Sequence, residues 1–115
     1  MTGGYKVQNG YYQVTNAVIV FNLESKTLSD APPMNEPRWG HGSTTIGRNI
    51  YVFAGGARYG SLSSIEVLDG VLKDTSWRLL QSNSRSELLP RYFPILCPIG
   101  PSSILICGGV TKGQN

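Results

Sequence analysis

Apolar and polar positions along this chain come in short stretches that never settle into a helical period. Val18, Ile19, Val20 and Phe21 form a β-branched and aromatic run that stops at Asn22. "NIYVFAGG" (49–56) and "SILICGG" (103–109) are apolar runs closed by glycines, and "SIEVLDG" (64–70) alternates before a turn at Asp69-Gly70. "SWRLLQ" (76–81) is one more short candidate. Runs of this length and composition, bounded by turn residues, predict strands. The nearest approach to a helix, "SELL" at 86–89, is too short and meets Pro90 at once. The pattern predicts an all-β chain.

An internal repeat organises these strands. Gly-Gly falls at 3–4, 55–56 and 108–109, spacings of 52 and 53. "PRWGHGSTTIGRNIYVFAGG" (37–56) aligns without a gap on "PRYFPILCPIGPSSILICGG" (90–109), so that Pro37 meets Pro90, Arg38 meets Arg91 and Trp39 meets Tyr92. "AVIVFNLESKTLSDAP" and "SIEVLDGVLKDTSWRLL" also correspond, each a strand, a turn and a second strand beginning near Leu28 or Trp77. The best-covered unit therefore holds four strands, expected at 39–46, 50–54, 64–68 and 76–80. Four strands with short connections make an antiparallel meander, and a period near fifty with four strands per unit is that of a propeller blade.

Composition narrows the reading without redirecting it. The 115 residues suffice for one small domain, 40% hydrophobic residues allow a core, and 14 glycines with 7 prolines fit many turns. A net charge of +3 is too diffuse to imply nucleic acid. Apolar runs such as "AVIVF" at 17–21 are too short to span a membrane. Two cysteines, Cys97 and Cys107, make no disulfide framework and are expected to be buried free thiols in a reducing, cytoplasmic setting.

The chain resembles the kelch-repeat family. The resemblance rests on the run ending in Gly55-Gly56, the strand "IEVLD", Trp77 ahead of "RLL", and "PRWGHG" at 37–42, with the paired glycines Gly3-Gly4 and Gly108-Gly109 in register. Leu28 stands where the family's Trp usually sits, and "YFPI" replaces the Gly-His-Gly element after Arg91. The resemblance implies four-stranded blades around a central channel, commonly six to a ring. It also implies an incomplete ring of about two blades: the second half of one blade plus a loop in 1–38, a complete blade in 39–80, and a loop with the first half of the next in 81–115. Further blades, from a longer chain or from other copies, would be needed to close it.

In a meander alternate loops emerge on one side, and here that side collects Arg38, Arg58, Arg91, Tyr5, Tyr11, Tyr12 and Tyr59. Arginine offers a planar fork for carboxylate or phosphate, and tyrosine a rigid, amphipathic contact area. The expected function is a scaffold or adaptor that binds a protein or peptide, an acidic one among the candidates, through these loops; kelch propellers often bind peptides there. Arg38 and Arg91 have a structural alternative, since they recur at one motif position. The alternative expectation is a piece of a kelch-propeller enzyme, oxidase or sugar-acid isomerase in type, or an architectural or cytoskeletal assembly component. No catalytic, metal or cofactor constellation is expected: His41 is the single histidine and reads as a strand residue fixing the backbone. Trp39, Trp77 and Tyr92 read as packing between blades, and Glu66 as part of a polar strand face.

Overall fold

The computed structural model describes residues 2–58, 60–70, 76–80 and 90–111, and among them it shows ten strands and no helix. In chain order these are β1 (Tyr5–Gln8), β2 (Tyr11–Val14), β3 (Val18–Phe21), β4 (Leu28–Ala31), β5 (Gly42–Ile46), β6 (Asn49–Phe53), β7 (Ile65–Asp69), β8 (Arg78–Leu80), β9 (Ile95–Ile99) and β10 (Ser103–Cys107). Tyr59 and the segment 86–89 lie outside the described residues. All pairing is antiparallel. The centre is a four-stranded meander in the order β5-β6-β7-β8, flanked by three hairpins, β1-β2, β3-β4 and β9-β10. The molecule is an all-β, propeller-like arc.

Register explains how the sheets face one another. Val52 pairs with Glu66 and Ile50 with Leu68, so these four residues share one face of the central sheet. That face packs on β3-β4, and Val18, Met34, Val52, Leu68 and Trp77 form the buried core with Ala31 and Ile50 against it. Each fully buried aliphatic side chain of this kind is worth about 1.5–3 kcal/mol. The opposite face, with Tyr51, Phe53, Ile65 and Leu80, looks across a cleft at Leu96, Ile104 and Ile106 of β9-β10. At its near end β5 and β9 come close: a Cβ on Gly42 would fall 2.9 Å from the Pro94 carbonyl oxygen.

Near the glycine pairs the chain turns corners, and two of these are tied to the segment leading into a later sheet. Gly4 N–H donates to the Arg38 carbonyl at 2.7 Å, and Gly55 N–H to the Arg91 carbonyl at 2.8 Å. The backbone conformations show which residues correspond. Gly3 and Gly4 have φ of 58° and 107°, Gly108 and Gly109 have 64° and 98°, and the middle corner is Ala54 and Gly55 at 65° and 91°. The structural repeat therefore pairs Ala54-Gly55 with the other two corners, one residue earlier than the glycine alignment predicts. Alanine accepts the left-handed region at a cost of about 1 kcal/mol, so Ala54 can stand where glycine stands elsewhere. Gly56 is needed for a separate reason: a Cβ there would overlap the Trp39 indole nitrogen.

Candidate interaction surface

The segment after the first corner is a hairpin, not the irregular loop that its position in the repeat suggests. Asn9 and Gly10 both have positive φ, 55° and 80°, the two-residue turn that matches strand twist. The Asn-Gly dipeptide between "YKVQ" and "YYQV" was the signal available in the sequence. With Tyr5 opposite Val14 and Val7 opposite Tyr12, the rings of Tyr5 and Tyr12 share one hairpin face and meet edge-on, with centroids 5.2 Å apart.

From there an aromatic row crosses the molecule. Tyr5 meets Trp39 edge-on at 5.6 Å, Trp39 lies tilted against Tyr92 at 5.0 Å, and Phe93 stands edge-on to Trp39 at 6.1 Å. Contacts of this geometry add about 0.5–1.5 kcal/mol each beyond area burial. The row borders a groove of about 810 Å³ whose walls include Tyr11, Tyr12, Pro37 and Arg58. The repeat places its members. Trp39 exchanges two backbone hydrogen bonds with Gly56, at 3.0 and 2.7 Å, and Tyr92 exchanges two with Val110, both 2.8 Å. One aromatic residue per repeat is thus set at the head of an inner strand, on the same side of the arc.

The structure sorts the residues expected on this surface. Arg58, Tyr11 and Tyr12 border the groove, and the two tyrosines are about three-quarters exposed. Tyr59 is outside the described residues. Arg38 is not a surface residue: it is fully buried. Its Nη1 donates to the Ala54 and Ser64 carbonyls at 3.2 and 3.1 Å, and its Nη2 to Ser64 Oγ at 3.0 Å and Glu66 Oε2 at 2.7 Å. Glu66, expected on a polar face, is equally buried and also accepts the N–H groups of Asn35 at 2.6 Å and Glu36 at 3.1 Å. The pair is a joint between the loop 32–38 and the central sheet. Arg91 is half-buried, donates to the Gly108 carbonyl at 3.1 Å and stands 6.0 Å from the Phe53 ring, away from the groove.

Of the residues read as packing between blades, Trp77 does so: it is buried and its indole N–H donates to the Pro32 carbonyl at 2.7 Å. Trp39 and Tyr92, half-buried, instead border the groove. Their role was missed because the sequence does not show that both heads open to one side. Cys97 and Cys107 are free, as expected, but exposed, not buried. Cys97 pairs with Leu105 and Cys107 with Ile95, so both thiols lie on the face of β9-β10 that points away from the central sheet.

His41 lies between Gly40 and the start of β5 and bonds a side chain, not backbone. Its Nε2 shares a 2.8 Å hydrogen bond with Thr2 Oγ1, while the buried Nδ1 has no partner. Burial, and then the nearby Arg38 charge, lower its pKa from 6.5 to about 4. The folded chain thus holds His41 neutral where the unfolded chain would protonate it. Stability should be full above about pH 6.5, fall as the pH drops toward 4, and level off below. Urea midpoints across this range should show the fall, and His41→Gln should flatten it; an unchanged slope in that variant would assign the loss to carboxylates.

No protein-family model matches the chain. Over 108 residues it is 32% identical to Adagio-like protein 3 from Oryza sativa subsp. japonica, an alignment covering 87% of this chain. The chain spans 16% of the length of that relative.

Proposed function

We infer that this chain is part of a kelch-type propeller and acts as a protein-interaction module, with the aromatic groove as its docking site for a peptide or protein segment. The observation that carries this reading is the continuous row Tyr12-Tyr5-Trp39-Tyr92, set by repeated backbone bonds and open along one side. Rigid aromatic side chains supply contact area at little entropic cost and dominate the energetics of protein interfaces. Arg58 at the rim favours a segment that carries a carboxylate. The similarity to Adagio-like protein 3 and the repeat resemblance support the propeller part of the reading. Free, exposed thiols fit a reducing cytoplasmic compartment.

The test is selection from a displayed random-peptide library on the 115-residue chain, followed by affinity measurement on variants. Tyr12→Ala, on an exposed hairpin and outside the core, should weaken the selected peptides about tenfold or more with an unchanged circular dichroism spectrum. Arg58→Ala should weaken them less and reduce their salt dependence. Peptides that bind both variants as tightly as the parent would place the docking site elsewhere.

A further inference from the structure

The rings of the aromatic row give the groove a broken relief. Tyr12 and Tyr5 meet at 72°, and Trp39 and Tyr92 at 35°, so each pair encloses a notch. All four rings line the groove. A puckered aliphatic ring packs into such a notch against the faces of both neighbours, whereas a planar base gains most from one open ring face. The two pairs are two steps apart in a row whose steps are 5.0–5.6 Å.

The polar groups of the wall narrow the chemistry further. Among the described residues the Trp39 indole N–H has no acceptor. It is not sealed from solvent either, since the buried side-chain atoms without partners are Arg38 Nε, His41 Nδ1 and Asn49 Oδ1. An indole nitrogen only donates. No Asp or Glu among the described residues lines the groove. Such a wall suits a backbone rich in free carbonyls and poor in N–H groups. Proline has no N–H, and the polyproline II helix leaves its carbonyls unpaired.

We propose that the groove takes a proline-rich segment in the polyproline II conformation. Its pattern is Pro-x-x-Pro, because residues three apart lie on one side of that helix, about 9 Å from each other, a spacing that two steps of the row accommodate. One proline sits at Tyr12 and Tyr5, the next at Trp39 and Tyr92, and a backbone carbonyl accepts from the Trp39 indole N–H. A preformed helix of this kind loses little chain entropy on docking. The proposal rests on the groove being the docking site, as inferred above, and adds the kind of segment that fills it.

The experiment titrates the whole chain with fluorescein-labelled decamers of L-proline and of D-proline. The two share composition, carbonyls and apolar surface and differ only in handedness. The L-decamer should bind saturably and the D-decamer about tenfold or more weaker. Trp39→Phe keeps a ring and removes the N–H, and should weaken the L-decamer about threefold to tenfold, the worth of one hydrogen bond. If that variant does not fold, Tyr12→Ala, on the exposed hairpin, should weaken the L-decamer comparably. The proposal is overturned by equal affinity for the two decamers, by no saturable binding of the L-decamer, by unchanged affinity in a folded Trp39→Phe, or by an oligo(dT) decamer that binds the same site more tightly. In each of these cases, library-selected peptides that still weaken in Tyr12→Ala keep the groove as the docking site and fault only its occupant. Selected peptides indifferent to Tyr12→Ala fault the groove itself.

Discussion

Glu66→Ala is expected to cost about 3–5 kcal/mol of folding stability, because it leaves the Arg38 guanidinium buried with no counter-charge. A domain of this size has about 5–15 kcal/mol in total, so the loss could unfold it near body temperature. The cost has two parts. The charge of Arg38 remains, with its fully buried side chain unable to reach water. The Asn35 and Glu36 N–H groups also lose their acceptor. Glu66→Gln separates the parts, since it keeps an acceptor oxygen and removes the charge, and should cost less than alanine. Replacing both partners at once, Arg38→Met with Glu66→Leu, should recover much of the loss but not all, because the two loop N–H groups stay unmet. Urea unfolding followed by circular dichroism measures all three. A cost under 1 kcal/mol for Glu66→Ala would mean that the pair is hydrated in solution and is no joint.

The second large effect is at Trp77. Trp77→Ala is expected to cost about 3–5 kcal/mol, the range for truncating a buried aromatic side chain. Trp77→Leu is the more instructive change, since the chain has already made it once. The registers Val18–Ala31 and Ile65–Leu80 put Leu28 in β4 at the place Trp77 holds beside β8. Leu28 is 68% exposed whereas Trp77 is 4% exposed. A leucine at 77 should therefore cost about 2–3 kcal/mol, as part of the cavity is filled but the bond to the Pro32 carbonyl is gone. Thermal unfolding of the two variants should order them alanine below leucine below parent. A leucine variant as stable as the parent would show that the indole N–H bond contributes nothing.

Much of the fold was legible because strand signals are local. The runs expected at 39–46, 50–54, 64–68 and 76–80 are found at Gly42–Ile46, Asn49–Phe53, Ile65–Asp69 and Arg78–Leu80, differing only at their ends. Val18–Phe21 and the strand from Leu28 are found as expected. The corner register was not legible, since Ala54 adopts a glycine-like backbone that composition does not flag. Nor was the fate of Arg38. A charged residue in a loop reads as exposed unless its acid is known, and Glu66 is 28 residues away in sequence but 2.7 Å away in space. The surface was half-read. Tyr11 and Tyr12 were expected on it, while Trp39 and Tyr92 needed the side-by-side placement of two strand heads, which only tertiary structure supplies.

The aromatic row has a mechanical consequence. Its rings belong to separate pieces of sheet: Tyr5 and Tyr12 to the β1-β2 hairpin, Trp39 to the head of β5, and Tyr92 to the head of β9. In the proposed complex, a segment lying along the row would grip all three at once and act as a clasp across the arc. The work needed to flex one sheet against the next then includes the work of peeling the guest away. Occupancy and stiffness become two readings of one free energy, and a guest that fits the row should make the arc behave as a single rigid plate.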